Sequence, residues 1–220
     1  MHTETIPLFP LSIVVFPGHL VPLHIFEPRY KKMVADCTHG GASRVFGISF
    51  EEDGEVAGIG CAVTIMQRRP AEPDGSFDIV CRAQGRYRIL EVFEDQAYLQ
   101  AKVEYFDDDE DDEADPALQQ LLKIRFRSLV DLAAQEAGSQ IVDGQGAPEE
   151  AAEGLEEGNA WAIAQRTGME GAGKQVLLEM TSENARLQNL AAYLEELLPV
   201  LEVRMARKKQ VKTNGHTPHA

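Results

Sequence analysis

The sequence predicts an α+β fold, a curled β subdomain followed by a bundle of helices. Two observations carry this. Apolar residues recur at every second position up to about residue 106 and at helical spacing after residue 115, and between the two regimes stands Asp107-Asp108-Asp109-Glu110-Asp111-Asp112-Glu113. Like charges at that density repel one another and have no core to bury. The stretch 107–115 therefore reads as a solvated linker between a β subdomain at 1–106 and a helical subdomain at 116–209, with 210–220 a disordered tail. An ion-binding reading of the acidic run is weaker, because it lacks the glycine turn and the final spaced glutamate of a calcium loop.

Taken in order, Ile6-Pro7-Leu8-Phe9-Pro10-Leu11 is a strand-length apolar run whose prolines donate no hydrogen bond, which places the first strand at a sheet edge. Phe16-Pro17-Gly18 turns the chain into a second apolar run, Pro22-Leu23-His24-Ile25-Phe26. Pro28 suits the first position of a helix that continues through Met33 to about Thr38 and is closed by Gly40-Gly41. Glu52-Asp53-Gly54 makes a turn, and then the odd positions Ala57, Ile59, Cys61, Val63 and Ile65 form one strand face. Phe77, Ile79, Cys81 and Ala83 repeat the pattern after Pro73-Asp74-Gly75, as do Ala97, Leu99, Ala101, Val103 and Tyr105. Glycines at bend positions among these strands suit a small barrel or a sharply curled sheet.

In the second half Asp115-Pro116 supplies a helix cap and first residue, followed by Leu118, Leu121, Leu122, Leu129, Leu132 and Ala133 on one face. Residues 137–158 are rich in Gly, Glu and Ala and read as a mobile loop. A helix around 159–167 holds the only tryptophan, Trp161, and a short helix follows at about 172–181. The last helix begins near Ser182 and carries Leu187, Leu190, Ala191, Leu194, Leu197, Leu198 and Leu201; Pro199 within that stripe is expected to kink or end it.

Composition limits the function classes. The chain is 44% hydrophobic and 26% charged, ordinary for a soluble globular protein, with a net charge of −15. That acidity repels nucleic acid and anionic membrane at long range; only residues 204–220, net +5, run the other way. The start of the chain is polar and acidic, unlike a secretory leader, and no apolar run is long enough to span a membrane, so a cytoplasmic location is expected. Cys37, Cys61 and Cys81 lack any C-x-x-C spacing and read as reduced, buried thiols rather than metal ligands. No metal or other cofactor is expected.

Several blocks together resemble a known family. Pro7-Leu8-Phe9-Pro10-Leu11, Val15-Phe16-Pro17-Gly18 and Pro22-Leu23-His24-Ile25-Phe26-Glu27-Pro28-Arg29-Tyr30 resemble the opening of the N-terminal, substrate-recognition domain of Lon-type ATP-dependent proteases. Gly58-Ile59-Gly60-Cys61, Gly85-Arg86-Tyr87-Arg88-Ile89 and Tyr98-Leu99-Gln100-Ala101-Lys102-Val103 are similar to later strands of that domain. Lys174-Gln175-Val176-Leu177-Leu178-Glu179 and Arg186-Leu187 are similar to its helical part, so the likeness covers about residues 5–203 in order. It implies a PUA-like β pseudo-barrel with one inserted helix, followed by an α-helical bundle. It also implies a non-catalytic module that binds unfolded or extended protein segments, as an adaptor or modulator of proteolysis in company with proteolytic machinery. A chain ending at Ala220 is expected to lack the family's ATPase and Ser–Lys protease domains. Ligand identity and oligomeric state are not legible.

The candidate residues each have a plainer alternative. Phe16, Leu20, Phe26 and Tyr87 are candidates for the wall of a peptide groove, or else core. Arg82, Arg86 and Arg88 share strand parity and, with Lys102, would offer a basic stripe to RNA; the alternative is a sheet face salt-bridged to Asp78 and Glu104. Gly168-Met169-Glu170-Gly171-Ala172-Gly173-Lys174 fits a phosphate-loop pattern but is followed by Gln175 rather than Ser or Thr, and reads as a turn between helices. No serine stands in a nucleophile elbow. His19 and His24 fall on opposite strand faces and are poor co-ligands, with His24 a barrel-wall residue. Arg29 is expected to tie the first helix to a strand through a carboxylate while Tyr30 packs on Met33. Arg204, Arg207, Lys208, Lys209 and Lys212 form a basic helix end and tail.

Overall fold

The computed structural model describes residues 2–39, 45–109, 113–137 and 160–214. Its sheet contains β1 (Thr3–Leu11), β2 (Leu20–Ile25), β3 (Val45–Glu52), β4 (Glu55–Arg68), β5 (Phe77–Phe93) and β6 (Gln100–Phe106). The helices are α1 (Pro28–His39), α2 (Pro116–Ala137), α3 (Ala160–Arg166), α4 (Gly171–Glu179) and α5 (Glu183–Asn214). The chain divides into two compact units, Met1–Asp109 with Met169–Thr181, and Glu110–Gly168 with Ser182–Ala220.

In the first unit the strands run in the order β2-β5-β4-β3-β1-β6, and β6 also pairs with β5, so five of them close into a ring. The closure depends on the length of β5. Its first half pairs with β2 (Leu20 opposite Arg82 to Ile25 opposite Phe77), and its second half takes β6 on the same edge (Arg86 opposite Phe106 to Phe93 opposite Gln100). All pairings are antiparallel except β1 with β3.

The first strand is not a sheet edge, contrary to the sequence expectation. Residues 3–7 of β1 pair with β6 and residues 8–11 with β3, so each proline keeps one side of the backbone without a strand partner while the strand as a whole is internal. The edge strand is β2.

Two hydrophobic clusters occupy opposite faces of this sheet. On one, Met33, Val34 and Cys37 of α1 cover Phe46, Ile48, Cys61, Val63, Ile65, Phe77, Ile79, Cys81 and Ala83. Tyr30 also joins this layer, its ring 3.9 Å from that of Phe9. The other cluster fills the closed ring with Ile6, Leu8, Ala62, Tyr87, Ala101 and Val103. Tyr87 lies against bare backbone there: a Cβ on Gly47 or Gly60 would stand 2.4 Å from its hydroxyl, which is hydrogen-bonded to Ser49 at 2.9 Å. Glycine is required at both positions for this close approach.

The short helix α4 packs with the sheet, not with the other helices to which the sequence reading assigned it. Gly171 admits the Phe50 ring, to which a Cβ would come within 2.5 Å. The Gln175 amide donates to the Ile59 carbonyl at 3.0 Å and to Glu179 at 2.8 Å, while Leu177 and Leu178 are buried.

The second unit is built from α2, α3 and α5. Asp115 caps α2 by accepting from the Ala117 N–H at 2.8 Å. Leu122, Phe126 and Leu129 of α2 are buried, as are Leu187, Leu190, Ala191 and Leu194 of α5; Phe126 is a core residue the leucine pattern passed over, and Leu121 is exposed. Asn184 accepts from the Asp115 N–H, and Arg125 pairs with Glu195, so α2 and α5 run parallel. Arg186 is buried, paired with Glu183 and stacked 4.1 Å from the Trp161 ring, while Glu183 also accepts from the first N–H of α3. Pro199 does not end α5, which continues to Asn214 through part of the segment expected to be a disordered tail. The closing Gly40-Gly41, the loop at 138–158, residues 110–112 of the acidic run and the last residues, 215–220, lie outside the described residues.

Candidate protein-binding face

Strand parity and the shifts that break it decide what β2, β5 and β4 display. On β5, Phe77, Ile79, Cys81 and Ala83 point toward α1, so Asp78, Val80 and Arg82 point away from it. Opposite them on β2 stand His24, Pro22 and Leu20. On β4, Thr64 pairs with Arg82 and Gln67 with Val80, and the extra residue between Ile65 and Gln67, Met66, bulges out next to that pair. Phe26 follows β2 with the same parity and stacks on His24 at 5.9 Å. The face turned away from α1 is therefore a small grid whose middle row is Pro22, Val80 and Gln67, with Met66 bulged beside Gln67 and Leu20 and Phe26 at two corners. Leu20 is 57% exposed, Phe26 61% and Met66 51%.

Polar groups border this apolar row. His24 Nδ1 lies 2.8 Å from Asp78, and Arg69 approaches the other oxygen of Asp78 at 3.8 Å. His24 is thus a surface residue hydrogen-bonded to Asp78 rather than a wall of the barrel. The Arg82 side chain is exposed and makes no ion pair or hydrogen bond among the described residues.

The candidate groove residues separate into two pairs. Leu20 and Phe26 share the exposed face, whereas Phe16 and Tyr87 are each 0% exposed and line nothing open. Tyr87 is core to the ring, and burial drives its hydroxyl pKa strongly upward. Pro22, Val80 and Met66 are not among the groove residues the sequence predicts. A signal existed: the run Leu20 to Phe26 is apolar at even as well as odd positions, where a half-buried strand would alternate with polar residues.

The three arginines do not form a stripe. Between the pairs Ala83–Val63 and Arg86–Cys61, β5 advances three residues while β4 advances two. That extra residue reverses the parity of β5, placing Arg82 on one face and Arg86 and Arg88 on the other. Arg86 is 4% exposed; it donates to the Leu178 carbonyl at 3.1 Å, to the Met180 carbonyl and to Asp108, beneath the Phe106 ring. Arg88 pairs with Glu104 at 3.9 Å. The acidic run is accordingly not wholly solvated: Asp108 holds Arg86, and Asp109 bonds to Thr181 through backbone and side chain.

Other candidates resolve structurally. Arg29 pairs with Glu27, two residues away, at 2.9 Å, rather than with a strand. Gly168 is a positive-φ turn, α4 begins at Gly171, and Lys174 lies inside that helix with a helix before the turn; burial lowers the lysine pKa. A phosphate loop needs a strand before it and a hydroxyl after the lysine. The thiols of Cys37, Cys61 and Cys81 are buried and free, their pKa pushed up by burial to about 11, about 12 and about 12. A cleft of about 160 Å³ bordered by Glu4, Asp36, Cys37 and Tyr98 has its acids already engaged. Asp36 accepts from Lys32 and Tyr98, holding its pKa low, and Glu4 accepts from Tyr105. Among the described residues no group of three or more His, Cys, Asp or Glu could hold a metal, and no helix is long and apolar enough to cross a membrane.

The family model of the ATP-dependent protease La (LON) substrate-binding domain matches residues 5–196. The chain belongs to this family. Lon protease of Dictyoglomus thermophilum is 26% identical over 221 residues, covering 95% of this chain and 26% of that protein. Lon protease 2 of Syntrophobacter fumaroxidans is 23% identical over 96% of this chain and 27% of its own length. The chain thus spans about a quarter of these Lon proteases, and the part matched is the substrate-binding domain. Among solved structures, a Lon N-terminal domain protein from Xanthomonas campestris superposes with a TM-score of 0.64 at 26% identity, over 86% of this chain and 98% of the other. The N-terminal domain of Mycobacterium avium complex Lon protease shares the fold, with a TM-score of 0.65 at 19% identity over 89% of this chain and 100% of that one. The β pseudo-barrel with an inserted helix, followed by helices, is the architecture of Lon N-terminal domains.

Proposed function

We propose that this protein holds extended segments of other proteins on the face of β2, β5 and β4 turned away from α1, and presents them without cutting them, as an adaptor or modulator of proteolysis. The observation that carries the reading is the contiguous exposure of Leu20, Pro22, Phe26 and Met66 around Val80, on a sheet face where solvent would favour polar side chains. Membership of the Lon substrate-binding family supports the ligand class.

Side-chain contact rather than strand addition fits this face. The Ala83 N–H donates to the His19 carbonyl, so the odd residues of β2 bond to β5 and the even residues direct their backbone outward. At the middle of that outward edge stands Pro22, which has no N–H to offer an added strand.

Fluorescence anisotropy with labelled unstructured peptides rich in Leu, Phe and Tyr tests the proposal. Saturable binding is expected, weakened about tenfold or more by Phe26→Asp with Met66→Asp, as when central apolar contacts of an interface are lost. Absence of any binding at concentrations approaching about 1 mM would overturn it. Purified protein is expected to release no fragments from the same peptides.

A further inference from the structure

The same face assigns a chemical preference to the segment it holds. We propose that, given the binding reading above, it selects apolar segments that carry an Asp or Glu two residues from an apolar anchor. The charges on and around the grid are few. Asp78 is hydrogen-bonded to His24 and paired with Arg69, which leaves Arg82 as the one exposed arginine of the grid with no ion pair among the described residues. Arg68, whose guanidinium lies 4.0 Å over the Phe77 ring, belongs to the opposite parity of β4. In a chain of net charge −15, an unanswered arginine beside an apolar row is a local reversal of sign.

The neighbours of Arg82 suit a carboxylate. Thr64, which carries a hydroxyl, stands directly across on β4 with its side chain on the same sheet face, and Leu20 flanks Arg82 on β2. An ionised oxygen accepting from both groups makes charge-assisted bonds stronger than those of a neutral amide. Pro22 and Val80, with the bulged Met66 beside them, lie two residues further along β2 and β5, roughly 7 Å away. An extended segment repeats its same-side side chains at that spacing, so one anchored by Leu or Phe over Val80 sets its residue two positions away over Arg82. The long-range repulsion between an acidic segment and this acidic protein is screened beyond about 8 Å at physiological salt, so the contact with Arg82 decides the preference.

The test uses three fluorescein-labelled eleven-residue peptides with identical Leu and Phe anchors in a Gly/Ser background, bearing Asp, Asn or Lys two residues from the central anchor. Wild-type protein is expected to bind the Asp peptide about threefold to fivefold more tightly than the Asn peptide, the range an exposed ion pair supplies, and the Lys peptide more weakly still. Arg82→Gln should bring the Asp peptide down to the Asn level while leaving the Asn peptide unchanged. Arg82→Glu should make the Lys peptide the best of the three. Circular dichroism of both variants is expected to match wild type, because Arg82 is exposed. Equal binding of Asp and Asn peptides, or an Asp preference that survives Arg82→Gln, would overturn the inference while leaving peptide capture standing. Failure of all three peptides to bind would end both.

Discussion

Replacing Arg86 with Met tests how the barrel unit is held together. The guanidinium is buried and donates to two backbone carbonyls at the C-terminal end of α4, of which that of the buried Leu178 would be left without its partner, and to Asp108. Hydrogen bonds to a charged group contribute about 1.5–3 kcal/mol each. Part of that loss is recovered, because Asp108 is 37% exposed and can rehydrate, and Met retains the packing of the arginine stem. A net cost of about 3–5 kcal/mol follows, the range for breaking a buried pair from one side. With a urea slope of about 2 kcal/mol per molar, the midpoint should fall by about 1.5–2.5 M. Arg82→Met, four residues away on the same strand, should change stability by no more than about 0.5 kcal/mol. Urea titrations followed by circular dichroism compare the two directly. If both substitutions cost the same, or if Arg86→Met costs less than about 1 kcal/mol, the reversal of parity in β5 is wrong.

Three further outcomes are expected. Gly60→Ala drives a methyl into the Tyr87 hydroxyl and the Ile48 carbonyl and should cost at least about 3 kcal/mol, whereas Gly58→Ala meets nothing within 4 Å and should stay within about 1 kcal/mol; thermal melts of the two decide it. Stability should fall as pH rises from about 9 toward 11. The thiols of Cys37, Cys61 and Cys81 hold their protons to higher pH in the folded chain than in the unfolded one, so unfolding releases protons across that window. Urea midpoints measured at pH 8, 9, 10 and 11 should fall, and alanine at all three positions should flatten the decline; an undiminished decline in that variant contradicts the assignment. Phe16→Ala, at a fully buried site, should cost about 3–5 kcal/mol, while Phe26→Ala should leave the melting temperature nearly unchanged and weaken peptide binding.

The periodicities of the sequence contained the fold class. The change from alternation to helical spacing at the acidic run marked strands before and helices after, and Asp115 with Pro116 announced the start of α2. What escaped was set by single-residue departures and by choice of partner. One extra residue in β5 turned Arg86 inward, and one in β4 turned Met66 outward; neither leaves a mark in an alternating pattern read without its partner strand. The short amphipathic α4 has the same apolar spacing whether its neighbour is a helix or a sheet, and only Gly171 against Phe50 and Gln175 on Ile59 show which it is. The prolines of β1 correctly signalled missing donors, but a strand that changes partners midway spares its N–H groups as well as an edge strand does. Of the proposed binding face, Leu20 and Phe26 were legible from their apolar run, and Phe16 and Tyr87 were not separable from them, since aromatic character alone does not distinguish core from surface.

Peptide capture by the barrel unit is tested most directly by titrating an unlabelled Leu/Phe/Asp peptide into isotopically labelled protein and following amide and methyl NMR signals. The account predicts saturable shifts concentrated at Leu20, His24, Phe26, Thr64, Met66, Val80 and Arg82, with the methyls of Ile6, Leu8 and Val103 inside the ring unmoved. Shifts confined to other surfaces, or none at saturating peptide, would contradict it.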